Sequence, residues 1–411
     1  MQSKTLNTTA RVLLLFVGFI NYLGFGLVFP LFTFLLFDTN VEILPKGATD
    51  AVRGLWLGGL LAIAPALLFF SSPILGTFSD IKGRKKILSV SLLIGIVSYL
   101  IAVIAIMKSS LTCLILSRVL YGISSGSMTV VQAGLVDLSS KEDKQKNFGL
   151  YNMALGAGFS LGPFIGSVLT KPSFTGSVNY LTPFIVAAIL MFINWLFILW
   201  KLKETHVLDP LKKHNWKMGI LHLKKAVHMK QLRMLFLVVF IFFVGWNFFT
   251  EFVPLFLIKR FEYAEMGVGS FYAYTGILFA LCAGILIRPV IARFTPKRVL
   301  ETALIGGGLY FFLFLFIKQS WVMWLYLPPL IYFIAMVYPT ATTVISNETS
   351  SDAQGEVLGI YGSIQSLALI VSPFFAGTLV AQYPFMPIVV SGGAMLLAGI
   401  LLLLFRLAKS S

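Results

Sequence analysis

Apolar residues in this chain come in long blocks, and the polar residues are confined to the gaps between them. Twelve such blocks run at 11–36, 53–79, 86–107, 110–134, 148–170, 179–200, 233–257, 267–292, 298–317, 321–345, 356–380 and 385–407. Each has the length a helix needs to cross a hydrocarbon core of about 30 Å, and few or no charges. A helix is the one open-ended structure that satisfies its own backbone hydrogen bonds without water. The pattern predicts an all-α integral membrane protein of twelve transmembrane helices, called spans 1 to 12 below. Most gaps fit only a turn between antiparallel neighbours. The first loop (38–53) and the connection 201–231 are longer. The first block follows MQSKTLNTTAR without a small-residue cleavage pattern, so a retained helix is expected and not a signal peptide.

Composition narrows this further. Hydrophobic residues are 58% of the 411 and charged residues 12%, about half the charge of a soluble domain, which leaves no room for a sizeable extramembrane domain. The net charge of +16 invites a nucleic-acid reading, but the bases sit in short loops. The N-terminus, the even-numbered loops and the C-terminus hold 24 of the 32 lysines and arginines, and the odd-numbered loops hold 7. Positive loops stay on the cytoplasmic side. This predicts a cytoplasmic (inner) membrane protein with both termini cytoplasmic and no nucleic-acid partner. Cys113 and Cys282 lie inside apolar blocks and read as packing thiols, with no metal site or disulfide. No glycine-rich phosphate loop ending in Lys-Ser/Thr is present, so neither an ATP-driven pump nor an enzyme is expected. His206, His214, His222 and His228 all fall in the central connection and read as solvated loop residues.

That connection divides the chain into six-helix bundles at 1–200 and 233–411, joined by a linker at 201–232. In the linker, Trp216, Ile220, Leu223 and Val227 recur at helical spacing among lysines. The spacing fits a helix in the headgroup region, and equally a solvated linker helix. The halves repeat one another. FGLVFPLF (25–32) in span 1 matches FTEFVPLF (249–256) in span 7, and 148–169 aligns with 358–379 without a gap. The second alignment pairs Gly149 with Gly359, Tyr151 with Tyr361 and Pro163 with Pro373. Parallel repeats of this kind build transporters that bind substrate near the midplane, between two pseudo-symmetric halves.

Three groups of residues stand out chemically. The turn after span 2, GTFSDIKGRKK (76–86), combines glycines, one acid and four bases. Gly76 would allow close helix approach, Gly83 an unusual backbone conformation, and Arg84 a two-pronged grip on a carboxylate such as Asp137. Asp80 suits the amide-rich start of a neighbouring helix. Span 5 carries Gly156, Gly158, Gly162 and Gly166 for close packing, with Pro163 bending the helix. Arg118 (span 4), Glu251 (span 7) and Arg288 (span 8) are ionisable groups inside apolar segments, where their cost marks them as functional candidates. Arg288 either snorkels to the interface or faces the pathway.

On these motifs the chain resembles the major facilitator superfamily, and within it the twelve-helix drug/proton antiporters that include the tetracycline exporters. The signature turn matches at Gly76, Asp80, Gly83, Arg84 and Lys85. The membrane arginine and its glycines match at Arg118, Gly122 and Gly126. The antiporter motif matches at Gly158, Gly162, Pro163 and Gly166. The resemblance implies alternating access driven by the proton gradient, with no cofactor, and a cytoplasmic latch formed by Asp80, Arg84 and Asp137. The turn after span 8, ARFTPKRVL, lacks the acid and glycine, so the latch is expected in the first half only. Since spans 1, 4, 7 and 10 line the cavity in this fold, Glu251 is expected to titrate protons under the influence of Arg118, or to form a static ion pair with it. Asn21, Tyr22, Trp246, Asn247, Phe248, Tyr338 and Gln365 are candidate cavity residues. Many relatives carry an acid in span 1; here Asn21 is its only strongly polar group. The expectation is a monomeric exporter of a small organic solute by proton antiport. The alternative is proton-coupled import of a carboxylate-bearing metabolite or a siderophore-like metal chelate.

Overall fold

The computed structural model describes residues 2–38, 40–140, 143–171, 178–205, 218–229, 232–349 and 354–410. They form helices and turns, with no strand among the described residues. The helices are α1 (Gln2–Val28), α2 (Leu31–Phe37), α3 (Asp50–Lys82), α4 (Arg84–Met107), α5 (Leu111–Ser125), α6 (Met128–Asp137), α7 (Lys144–Leu169) and α8 (Leu181–Lys201). They continue with α9 (Met218–His228), α10 (Arg233–Phe261), α11 (Glu265–Leu281), α12 (Arg288–Arg293), α13 (Pro296–Leu313), α14 (Ser320–Asn347), α15 (Gln354–Gln382) and α16 (Met386–Ser410). Twelve spans of membrane-crossing length and apolarity result, because α1 with α2, α5 with α6, and α11 with α12 each share one.

The breaks within those three spans have local causes. Pro30 has no N–H to donate, so span 1 ends its first helix at Val28 and restarts as α2 at Leu31. In span 4 the chain tightens at Gly126 and Ser127, whose amides reach back three residues to Ile123 and Ser124. In span 8 a π-helical turn, Cys282–Leu286, precedes Pro289. The proline removes a backbone donor one turn above the carbonyls it would have paired, and the helix widens to absorb the loss. Continuous apolarity at 267–292 conceals this break, since hydropathy carries no record of a missing donor.

The helices pack into two compact units. The first comprises 1–48, 63–218 and 265–276, the second 49–62, 219–264 and 277–411. Their packing plans correspond. In the first unit α1 packs on α7 and α8, and α4 on α5 and α8. In the second α10 packs on α15 and α16, and α13 on α14 and α16. These are the same span pairs shifted by six, the structural form of the sequence repeat.

Close backbone approach is the rule at the seams. A Cβ on Gly158, Gly162 or Gly166 would run into the backbone of span 1 at Phe19, Gly26 and Leu27 respectively. Gly156 meets nothing, because it lies about 200° around the helix from Gly158; it does not share the glycine face. The opposite side of α7 offers Ser160, the Pro163 carbonyl and Ser167 to Gly276 and Gly269 of α11. The second unit builds the counterpart seam, with Gly54 and Gly58 of α3 against Gly377 and Pro373 of α15. Replacing Gly377 with leucine is expected to destabilise the protein by about 1–3 kcal/mol through overpacking, read as a lowered unfolding temperature in detergent. Gly362→Ala, where a Cβ meets open space, should leave that temperature unchanged.

Candidate functional site

In the first unit the candidate site centres on Arg118 in α5, which is 3% exposed. Its guanidinium lies over the rings of Phe32 and Tyr121, 4.8 and 5.0 Å from their centroids. Stacking of this kind stabilises a desolvated cation without a counter-charge. Tyr121 donates to Asn21 Oδ1 at 3.4 Å, and the Tyr99 ring lies 5.6 Å from that of Tyr121. Arg118 Nε, Asn21 Nδ2 and the Tyr99 hydroxyl are all buried without a hydrogen-bond partner. No ion pair reaches Arg118 among the described residues of its unit. The cluster thus presents a cation and unspent donors with no carboxylate beside them. Tyr22 is half-buried next to Gly158 of span 5. Sequence reading missed Tyr121, which was legible three residues beyond Arg118 on the same helix face. Tyr99 and Phe32 lie on other helices and carried no such signal.

In the second unit Glu251 of α10 is 5% exposed. Ser372 of α15 is near enough to interact with its carboxyl, yet Glu251 Oε2 and Ser372 Oγ are both buried without a hydrogen-bond partner. The repeat register puts Glu251 where span 1 has Leu27, and Ser372 where span 5 has Gly162. Where the first unit has an aliphatic side chain and a glycine, the second has a carboxyl and a hydroxyl. Tyr338 sits edge-on among Phe242, Phe243 and Phe279, with centroids 5.4–6.0 Å apart. Trp246 stacks on Phe249 at 5.8 Å, Phe248 is buried, and Asn247 and Gln365 are half-buried. Arg288 is exposed at the first position of α12.

The 76–86 turn is a charge cluster at one end of the first unit. Gly83 has φ 97°, closed to most side chains. Arg84 is 5% exposed and reaches Asp80 Oδ1 at 2.5 Å, Ser79 Oγ at 2.5 Å and Asp137 Oδ2 at 3.1 Å. The amides that open α4 are capped by Glu204, which accepts from Arg84 N at 2.9 Å and Lys85 N at 3.2 Å. An anion is favoured there by the helix dipole. Lys85 Nζ donates to the Leu199 carbonyl at 2.8 Å. Glu204 went unnoticed in the sequence because it lies far along the chain with no motif around it. Gly76 does not enforce close approach: a Cβ there would make ordinary contact with Thr129.

The second half carries a counterpart that its sequence did not advertise. Lys297, opening α13, pairs with Glu348 at the end of span 10, matching Arg84 with Asp137. Arg406 reaches Glu301 at 2.6 Å. What the second half lacks is the acid and glycine within the turn; the base–acid pair between helices recurs. Trp216, His206 and His214 lie outside the described residues. His228 is exposed, and His222 packs on α15, where burial holds its imidazole below the ordinary histidine range.

The model of the Major Facilitator Superfamily matches residues 14–373, and the chain belongs to that family. It is a multi-pass membrane transporter and not an enzyme. It is 26% identical over 390 residues to the class C tetracycline resistance protein of Escherichia coli, covering 91% of this chain and 90% of the relative. It is also 26% identical over 399 residues to the quinolone resistance protein NorA of Staphylococcus aureus, covering 94% of each. The human organic anion transporter MFSD10 (TETRAN) shares the fold at a TM-score of 0.68 and 22% identity, over 96% of this chain and 99% of that one.

Arg84→Ala would leave Asp80 and Asp137 without the cation that holds them. The expected loss is about 3–5 kcal/mol of stability, measured by denaturant or thermal unfolding. Arg84→Lys keeps the charge without the fork and should fall between that variant and the unaltered protein.

Proposed function

We propose that this protein exports a small organic solute by alternating access in exchange for protons, and that the solute carries an anionic group. The observation that carries the substrate class is the cluster around Arg118. A buried guanidinium with unspent donors beside it and no local acid suits a carboxylate or a zwitterion better than a bare cation. The absence of an acid from span 1 supports the same class. Export is supported by the span 5 motif and by relatives named for resistance to tetracycline and quinolones.

Glu251 is our candidate for the proton site. It is a membrane-embedded carboxyl of the second unit with one oxygen left unpaired in a buried setting, and unlike Glu301, which is paired with Arg406, it has no ion pair among the described residues of its unit. Such a group can take a proton without first breaking an ion pair in its own unit. The 76–86 cluster, with Asp80, Arg84 and Asp137, is our candidate for a latch that steadies one end of the first unit. The protein works without a cofactor, in the inner membrane, and as a monomer.

The same donor cluster also fits a second reading, proton-coupled import of a carboxylate-bearing solute. Energised inverted vesicles separate the two: an exporter accumulates the solute inside them and a proton symporter does not. Glu251→Gln should transport poorly and lose its dependence on the pH gradient. An unchanged pH profile would remove Glu251 from coupling. Arg118→Lys should weaken anionic solutes about 10–100-fold, the equivalent of a lost charge-assisted hydrogen bond, in a binding titration of the purified protein.

A further inference from the structure

The central connection holds a helix that transport alone does not explain. Helix α9 turns one side toward α15. His222 Nδ1 lies 3.2 Å from Ser363 Oγ, whose own hydrogen goes to the Gly359 carbonyl at 3.0 Å. Lys225 forms an ion pair with Glu356, and Ala226 is buried. A Cβ on Gly359 would press against the His222 ring, so this glycine admits the imidazole.

At 3.6 residues per turn, Ile220 and Val227 fall on the side away from His222 and Ala226, and Leu223, half-buried, lies between the two sides. Ile220 is 45% exposed and Val227 71% exposed. An 11-residue helix is marginal in water on its own, and of its residues 220–228 only Ala226 is buried. Exposed aliphatic side chains opposite so slight a dock call for a second apolar surface. The charge says which. From 211 to 231 the chain carries six lysines and no acid, and Lys224 is exposed beside Ile220 on the helix surface. Apolar side chains flanked by lysines on a short helix suit the headgroup boundary of an anionic bilayer.

We infer that α9 is a membrane-surface helix, seating Ile220 and Val227 at the acyl boundary of an anionic leaflet with Lys224 on lipid phosphates. Its other side holds the start of span 11 through His222 and Lys225. The composition of the membrane thereby bears on a helix of the transport bundle. This inference is independent of the transported solute and of its direction.

The test uses the full chain with Cys113→Ala and Cys282→Ala, spin-labelled singly through Ile220→Cys, Lys224→Cys or Val227→Cys, in vesicles. With phosphatidylglycerol present, labels at 220 and 227 should collide with oxygen several-fold more than with a water-soluble nickel complex. The label at 224 should show the reverse. In pure phosphatidylcholine the contrast at 220 and 227 should collapse. Nickel access at 220 and 227 in the anionic vesicles would make α9 a solvated linker and overturn the inference. So would exclusion of both reagents, which would mean a protein partner on that face, or equal depth in both lipids. Should the labelled variants fold poorly, hydrogen exchange on the unaltered protein decides. Amides of α9 should exchange more slowly in phosphatidylglycerol than in phosphatidylcholine, and equal rates would overturn the inference.

Discussion

Helices in a bilayer cannot hide apolar side chains from water by meeting one another, so contact itself must hold them together. This chain meets that constraint by removing side chains where helices cross. Span 5 runs along span 1 on Gly158, Gly162 and Gly166, each against backbone. Gly54 and Gly377 do the same in the second unit. Dispersion between atoms is weak singly and depends steeply on distance, so a seam of this kind tolerates no added methylene. Bulk lies elsewhere, in the aromatic cluster around Tyr338 and in the rings that flank Arg118.

The same solvent sorts the charges. Most bases lie at helix ends, where they are hydrated or bound. Arg84 is a buried example whose environment is complete: two carboxylates and a hydroxyl on the side chain, and Glu204 on its amide. Arg118 and Glu251 are buried to a similar degree, but polar atoms on both lack partners. Unmet polarity in a low-dielectric interior is expensive. The rest of the fold bears that cost, which is why the two residues are our candidates for function.

Much of the architecture was legible in the sequence because a membrane span is read from local composition. All twelve spans and the repeat rest on runs and registers, while the Arg84–Asp137 pair was reached through the family resemblance. Failures came where the deciding atom was far away or was missing. Glu204 caps α4 from the next connection after span 6. Lys297 and Glu348 belong to different helices and no motif links them. The π turn in span 8 follows from a donor that Pro289 does not have. Tyr99 joins Arg118 only once spans 3 and 4 have packed. Gly156 misled in the other direction, since it belongs to the glycine-rich run by composition but not by angle.

The repeat carries the argument one step further. A duplicated bundle begins with the same chemistry at equivalent positions, and that symmetry has been broken at the polar centre of each unit. Span 4 of the first unit carries Arg118, while its counterpart, span 10, carries no charged residue. Span 7 of the second unit carries Glu251 where span 1 has Leu27, and Ser372 answers it where span 5 has Gly162. The backbone plan survived, because α1 on α7 and α10 on α15 remain equivalent seams. One unit thus carries a buried cation with unspent donors and the other a buried acid, on a shared scaffold. Binding an anion and holding a proton make opposite demands on local charge, and on the function we propose, divergence between the halves lets each demand be met separately.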